Sequence, residues 1–344
     1  RSVLRTEKPD VLWFMTDPRF WGWLWQIENE VRPLCPIVYY HVWDNYPTPM
    51  YNRNYYISND AVATISKVTD NIVAEAAPEV MRKYIPHAVD DKIFSPSSLE
   101  KIEEFRKESL PDSDQEKVIF FWNNRNARRK QSGTLIFWFK EWLDKNNLHD
   151  KAQLIMHTEP KDPHGQDLVH IVEHLELNNR QVLLSTQKIP PEHLAAMYNI
   201  ADCTINISDA EGFGLATLES LSCGTPIIVN MTGGLQEQVT NGKDWFGVGI
   251  LPSSKSVIGS QDVPYIYEDR IDKGQFHSAL SKIYNVSAVE RRKMGMMGKQ
   301  HVEENYNFKD FKESWISFID KIVEEGGSWE TRKNYNGIRF MEVA

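Results

Sequence analysis

The chain is poor in cysteine, with Cys35, Cys203 and Cys223 the only three in 344 residues. They show no metal-ligand spacing, and three leave one unpaired in any disulfide scheme. A reduced, cytosolic setting is expected. Long hydrophobic runs are missing too: none approaches the roughly 18 to 20 apolar residues that span a bilayer. No signal-peptide pattern is visible, and the chain starts at Arg1 rather than Met. Peripheral contact with a membrane stays open, although no strongly basic amphipathic helix commits the chain to it. Positive charge is also short. With 39 Lys and Arg against 48 Asp and Glu, the net charge is −9, which argues against a nucleic-acid partner because phosphate contacts need a basic face. No G-x-G-x-x-G follows a strand pattern, which argues against an NAD-dependent enzyme. No Asp-x-Asp sits at a strand end, so no divalent metal is expected. There is no short-period repeat and no low-complexity tract.

What is present is ordinary for a globular protein: 41% hydrophobic and 25% charged residues, at a length that suits two medium domains. Short apolar runs alternate with amphipathic helical stretches, the pattern of βαβ units and a mostly parallel sheet. Strands are expected at Val11 to Thr16, Ile37 to Trp43, Ala61 to Ser66 and Tyr84 to His87. A polar stretch from Ser95 to Lys117 contains Pro96 and a helix-like segment, and its end, Pro111-Asp112-Ser113-Asp114, reads as a linker. A second series follows, with strands at Val118 to Asn123, Gln153 to His157, Val182 to Ser185, Cys203 to Ile207 and Pro226 to Val229. Helices are expected at Thr134 to Lys145, Pro191 to Ile200 and Gly214 to Ser222. Three more close the chain, at Gly274 to Tyr284, Ala288 to Asn305 and Phe308 to Val323.

The densest chemistry lies at Ser208 to Gly234, SDAEGFGLATLESLSCGTPIIVNMTGG. Gly212 and Gly214 permit a tight turn and close approach of a ligand. The helix opening near Gly214 aims free N–H groups into that turn, where an anion such as phosphate is favoured. Glu219 stands eight positions after Glu211. With phosphate in the turn, Glu219 would lie beside the attached ribose, whose two hydroxyls a carboxylate can accept. Glu211 would lie on the sugar side.

A second site is Asn123 to Gln131, NNRNARRKQ, directly after a strand. Cations at the end of a parallel strand face the crevice where such sheets bind ligands. Arg and Lys both suit a diphosphate. Taken alone, a basic run more often forms a solvated face.

The whole string, an acidic residue, Gly-Phe-Gly, a second Glu and Cys-Gly-Thr-Pro, closely resembles the E-x7-E signature of retaining glycosyltransferases of family four (glycosyl transferases group 1). These have the GT-B fold, two Rossmann-like doubly wound domains facing a cleft. NNRNARRKQ resembles that family's R-N-x-x-R-K loop. The resemblance implies that Arg125 and Lys130 hold the diphosphate and stabilise the leaving group, with Arg128 and Arg129 adjacent to them. It implies donor contacts from Gly212 and from the amides of Phe213, Gly214 and Leu215. Backbone groups near Lys188 and Ile189 would meet the nucleobase. Thr232-Gly233-Gly234-Leu235 resembles a glycine-rich turn of glycogen and starch synthases, which brings Gly234 close to the donor. In family members a His ends the strand equivalent to Ile37 to Tyr40, so His41 becomes the candidate to face the donor sugar.

YIPHAVDDKIFSP, Tyr84 to Pro96, resembles the string that closes the family's first domain, with Ala88 in place of a glycine. The family's opening strand and glycine-rich loop have no counterpart before Val11, so the first domain is expected to be incomplete. The implied organisation is residues 1–112 as the acceptor-side domain, 113–305 as the donor domain, 306–325 as a helix returning to the first domain, and 326–344 as a tail. FWGWLW, Phe20 to Trp25, reads first as a core-packed helix and second as a sugar-stacking platform. The Trp245 to Asp269 segment is longer than the family's loop.

The expected activity is therefore sugar transfer, with retention, from a nucleoside diphosphate sugar (UDP or GDP) to a carbohydrate, lipid-linked or protein hydroxyl. It would need no cofactor beyond that donor. The alternatives are a non-catalytic nucleotide or sugar binder on a decayed scaffold, and an epimerase of the same fold, which lacks this E-G-F-G-L string.

Overall fold

The computed structural model describes residues 1–335. Contacts divide the chain into two compact units. Among the described residues, one comprises 1–87, 257–267 and 309–335; the other comprises 88–256 and 268–308.

The first unit is built on four parallel strands: β1 (Leu12–Thr16), β2 (Ile37–His41), β3 (Ala61–Thr64) and β4 (Met81–Tyr84), in the order β1-β2-β3-β4. β2 and β3 are buried along their whole length, as central strands covered on both faces should be. The expected strand at Tyr84 to His87 lies three residues earlier, because Pro86 has no N–H with which to continue the ladder. FWGWLW falls in the helix Pro18–Trp25, started by Pro18 and by the Asp17 carboxylate, which accepts from the Arg19 amide. Leu24 and Trp25 enter an aromatic core with Phe14, Tyr39 and Tyr56, while Phe20 and Trp23 remain exposed.

The helix Phe308–Gly326 belongs to this unit from Lys309 on. It takes the Lys83 ammonium on the Ser314 carbonyl and the Ser317 hydroxyl, and sets Trp315 against Trp13 and Tyr40. The expected tail is tied down as far as it is described: Arg332 bonds the Arg32 carbonyl and Asp60. Its remainder, 336–344, lies outside the described residues.

The second unit holds β5 (Val118–Asn123), β6 (Ala152–His157), β7 (Val182–Ser185), β8 (Cys203–Asn206), β9 (Ile227–Asn230) and β10 (Gly247–Ile250). All pair in parallel, in the order β10-β9-β8-β5-β6-β7. Successive strands step outward from β5 in one direction and from β8 in the other. The helix Ser132–Asn146 buries Leu135, Ile136, Phe139, Trp142 and Leu143 against this sheet.

Two expectations fail here. The polar stretch whose end reads as a linker is part of the second unit. Its helix-like segment is the helix Leu99–Ser109, preceded by Ser97, whose amide donates to Asn199. At its far end Asp114 is buried and takes Lys117, Arg180 and Gln153. The division between units therefore falls after His87 rather than at 112. Trp245 to Asp269, the segment longer than the family's loop, holds β10 and then two paired strands, β11 (Ser254–Ile258) and β12 (Ile266–Arg270).

Candidate functional site

Where the order of a parallel sheet reverses, the loops after the two flanking strands part and leave a ligand crevice at their carboxyl ends. Here those strands are β5 and β8, and the loops are residues 124–131 and 207–214. The two loops are joined directly, since the Asp209 amide donates to the Arg129 carbonyl at 2.8 Å.

The first loop is anchored by Asn126, which is completely buried. Its Nδ2 donates to the carbonyls of Pro160 (3.2 Å) and Gln166 (2.6 Å), and its Oδ1 accepts from Ser132. Arg128–Lys130 then form one 3-10 turn, ended by Gln131 in the left-handed region at φ +56°. A non-glycine residue held there marks a locally strained, over-determined position. The three consecutive cations leave the turn in different directions. Arg128 makes a bidentate pair with Glu268, at 2.9 and 2.6 Å. Arg129 donates to the Ala210 carbonyl and comes within 3.9 Å of the Glu211 carboxylate. Lys130 is buried and donates to Glu211.

Glu211 is buried as well, and Asn206 also donates to it. Burial pushes its carboxyl up, but Lys130 and Arg129 outweigh that and hold it below the usual glutamate range. The turn that follows is formed by Gly212 and Phe213, both buried, and by Gly214 at φ +95°. It opens the helix Leu215–Ser222, with Leu215 exposed. A second turn packs on it: Gly234 N donates to the Glu211 carbonyl at 3.0 Å, and Gln238 to that of Phe213 at 2.8 Å. Gly233 sits at φ +48°, and a Cβ there would fall 1.8 Å from the Glu211 carbonyl oxygen. Only glycine fits.

On the helix, Glu219 accepts from the Tyr198 hydroxyl at 2.8 Å, and Tyr198 accepts from Asn123 at 2.9 Å. Burial pushes the Glu219 carboxyl up to about 7, against that hydrogen bond. Lys188 is exposed and Ile189 half-buried on the connection between β7 and the helix Pro191–Ile200.

The structure thus brings Lys130, Glu211, Gly212, Phe213, Gly214 and Gly234 together, with Glu219 on the helix that starts there. Arg125 is not among them. Its side chain is 62% exposed and grips Asp162 at 2.7 and 3.2 Å. Arg129 takes the position beside Glu211 instead.

His41 does not face open space. It is completely buried, with Nδ1 on the Tyr39 hydroxyl (2.7 Å) and Nε2 on that of Tyr56 (2.9 Å). Burial lowers its pKa to about 3, so the ring is neutral. β2 is a central strand and its last side chain points into the core, which turns an expected sugar ligand into a structural group.

The sequence reading missed Asp209, Glu268 and Arg270. Asp209 is buried and takes Gln131 and Arg270, with burial raising its carboxyl to about 6. Asp209 adjoins the motif, but Glu268 and Arg270 lie in a segment with no recognisable pattern. Among the described residues, no group of three or more His, Cys, Asp or Glu side chains is arranged to hold a metal ion. No described helix is long and apolar enough to cross a membrane.

Residues 101–257 match the model of the family described as glycosyl transferases group 1. D-inositol 3-phosphate glycosyltransferase of Corynebacterium jeikeium is 31% identical over 185 residues, which are 53% of this chain and 43% of that protein. The alpha-1,3/1,6-mannosyltransferase of Dictyostelium discoideum is 28% identical over 159 residues, 46% of this chain and 32% of its own. The chain spans less than half the length of these curated relatives. Among solved structures, sucrose-phosphate synthase from Thermosynechococcus elongatus superposes with a TM-score of 0.71 at 19% identity, over 91% of this chain and 74% of that one. Anabaena HepE in complex with UDP and glucose gives 0.70 at 14% identity, over 93% and 80%. At such identities the likeness is one of fold.

Proposed function

We propose, from the premise that residues 101–257 are a glycosyl transferases group 1 domain in a chain with the GT-B fold, that this protein is a retaining glycosyltransferase. It moves a sugar from a nucleoside diphosphate sugar to a hydroxyl acceptor. The observation that carries the reading is the buried Lys130–Glu211 pair at the point of sheet reversal, beside the start of the helix that holds Glu219.

A buried cation next to a helix N-terminus favours a diphosphate twice over, by charge and by free N–H groups. In this reading Lys130, Arg129 and the amides of Phe213, Gly214 and Leu215 hold the diphosphate. Arg125 joins them by exchanging Asp162 for phosphate. Glu219 accepts from the ribose hydroxyls, and the connection at Lys188 and Ile189 lies against the base. Glu211 is on the sugar side.

The bond from the anomeric carbon to the phosphate oxygen breaks with its electron pair on the diphosphate. Lys130 and Arg129 stabilise that charge as it develops. The acceptor oxygen bonds the anomeric carbon on the same face, and its proton goes to the departing phosphate. Protein cations thus do the work a divalent ion would otherwise do, and transfer is expected to survive EDTA. A UDP-sugar is the first donor to try, since HepE was solved with UDP-glucose as well as with UDP and glucose.

Calorimetry with UDP, GDP and ADP, on the wild-type chain and on Glu219→Ala, tests the site. Tight binding of one nucleotide, lost in the variant, supports the reading. Failure to bind any of them sinks it, and binding without transfer to any hydroxyl acceptor leaves only a binding protein.

A further inference from the structure

The Asn124 to Gln131 loop ends in three adjacent cations, yet only two of them turn toward Glu211. A 3-10 turn has about three residues per turn, so successive side chains point about 120° apart. Something must decide which of the three faces the site. We propose that Glu268, carried by β12, is a positioning residue: its grip on Arg128 keeps that guanidinium out of the phosphate site and fixes the turn so that Arg129 and Lys130 face it. This rests on the donor-site reading above.

The geometry is a closed circuit within the second unit. Both guanidinium terminal nitrogens of Arg128 donate to the two oxygens of Glu268, at 2.9 and 2.6 Å. Glu268 is only 2% exposed. Its Oε2 also accepts from Arg270 at 2.9 Å. The other terminal nitrogen of Arg270 donates to Asp209 at 2.6 Å, and Asp209 accepts from the Gln131 amide group. Gln131 N returns to the Arg128 carbonyl at 3.2 Å. The circuit therefore begins and ends in the same turn.

Its formal charges cancel, two arginines against two carboxylates. Arg128 needs no phosphate to be satisfied, and the charge left facing the crevice is that of Arg129 and Lys130 against Glu211. The backbone of β12 is fixed as well. Asp269 N donates to the Asp209 carbonyl at 2.9 Å, and the Asp269 carboxylate accepts from Thr232 at 2.8 Å, next to the Gly233-Gly234 turn. A bidentate Arg–carboxylate pair specifies orientation as well as energy. The Arg128 side chain is 55% exposed, so the clamp rests on its buried Glu268 end and on the second arginine that Glu268 holds.

The test compares Glu268→Gln, Arg128→Gln, their double variant and Glu268→Asp. Calorimetry measures affinity for the nucleoside diphosphate that wild type binds and for the corresponding nucleoside. Both single glutamine variants are expected to lose about tenfold in diphosphate affinity, an energy of about 1.4 kcal/mol. The double variant should be no worse than the weaker single, since both members serve one clamp. Nucleoside affinity should not change, and Glu268→Asp should recover part of the loss.

If Arg128→Gln weakens diphosphate binding while Glu268→Gln binds as tightly as wild type or more so, Arg128 is itself a phosphate ligand and the clamp is wrong. Parallel loss of nucleoside and diphosphate affinity would mean general disruption, and also overturns it. A wild-type chain that binds no nucleoside diphosphate fails the donor site itself, a result separate from either.

Discussion

The ammonium of Lys130 is buried against the carboxylate of Glu211, 81 positions further along the chain. Each belongs to a different loop, one after β5 and one after β8, and neither loop alone has a site. The pair has one electrostatic consequence: the Lys130 and Arg129 cations hold the Glu211 carboxyl below the usual glutamate range despite its burial.

Lys130→Ala should therefore fail in two measurable ways. Leaving Glu211 buried without its main partner is expected to cost about 3–5 kcal/mol in urea denaturation. Diphosphate affinity should fall at least as far as in the Glu268 variants, and transfer should nearly vanish. Adding Glu211→Gln should return much of the stability but none of the transfer. Near-normal turnover in Lys130→Ala would contradict the phosphate assignment.

Glu219 supplies a pH test. Its folded pKa, about 7, lies above the ordinary 4.5, so the folded state binds the extra proton between these values. Stability is expected to fall as pH rises through that window, and Glu219→Gln should remove this slope. Nucleotide affinity should rise over the same range, because the ribose hydroxyls need an ionised acceptor. Thermal unfolding and calorimetry from pH 5 to 8 would show both trends, and an affinity that ignores pH would count against the ribose role.

His41 gives the opposite sign. Its folded pKa, about 3, lies below the ordinary 6.5, so the unfolded chain binds the proton first. Stability from this group is present above about 6.5 and is lost as pH falls toward 3. His41→Asn should flatten that part of the acid-unfolding curve, lower the melting temperature, and leave affinity for the nucleotide sugar unchanged. A loss of nucleotide-sugar affinity with unaltered stability and unaltered affinity for the free nucleotide would restore the histidine to the sugar site.

Gly233→Ala is the fourth test. The added Cβ cannot lie 1.8 Å from the Glu211 carbonyl, so the two turns must separate. A stability loss of about 2 kcal/mol or more is expected from the backbone strain, together with weaker diphosphate binding. An alanine variant that binds like wild type would show that the turns are not coupled.

The repeating strands and helices were legible because period-2 and period-3.6 burial is written locally. Val118 to Asn123, Pro191 to Ile200 and Ala288 to Asn305 coincide with observed elements. Where a local signal was ambiguous, the reading slipped. The end of the polar stretch before Val118 reads as a linker, yet Asp114 is buried by Lys117, Arg180 and Gln153, which only a folded chain supplies. β11 and β12 carry little apolar periodicity, because few of their side chains enter a core.

By itself, the sequence determined the alternation of strand and helix, the glycine positions that only a tight turn accepts, and the two motifs that would bear the chemistry. It also placed Lys130 and Glu211 among the candidates. Tertiary structure alone decided how those candidates are used. The sheet order sets β5 beside β8 and so joins two loops far apart in the chain. Burial at the end of a central strand removed His41 from the site. A carboxylate from β12 selected which of three neighbouring cations faces the crevice. Orientation and desolvation arise from long-range contacts, and no local pattern of residues encodes them.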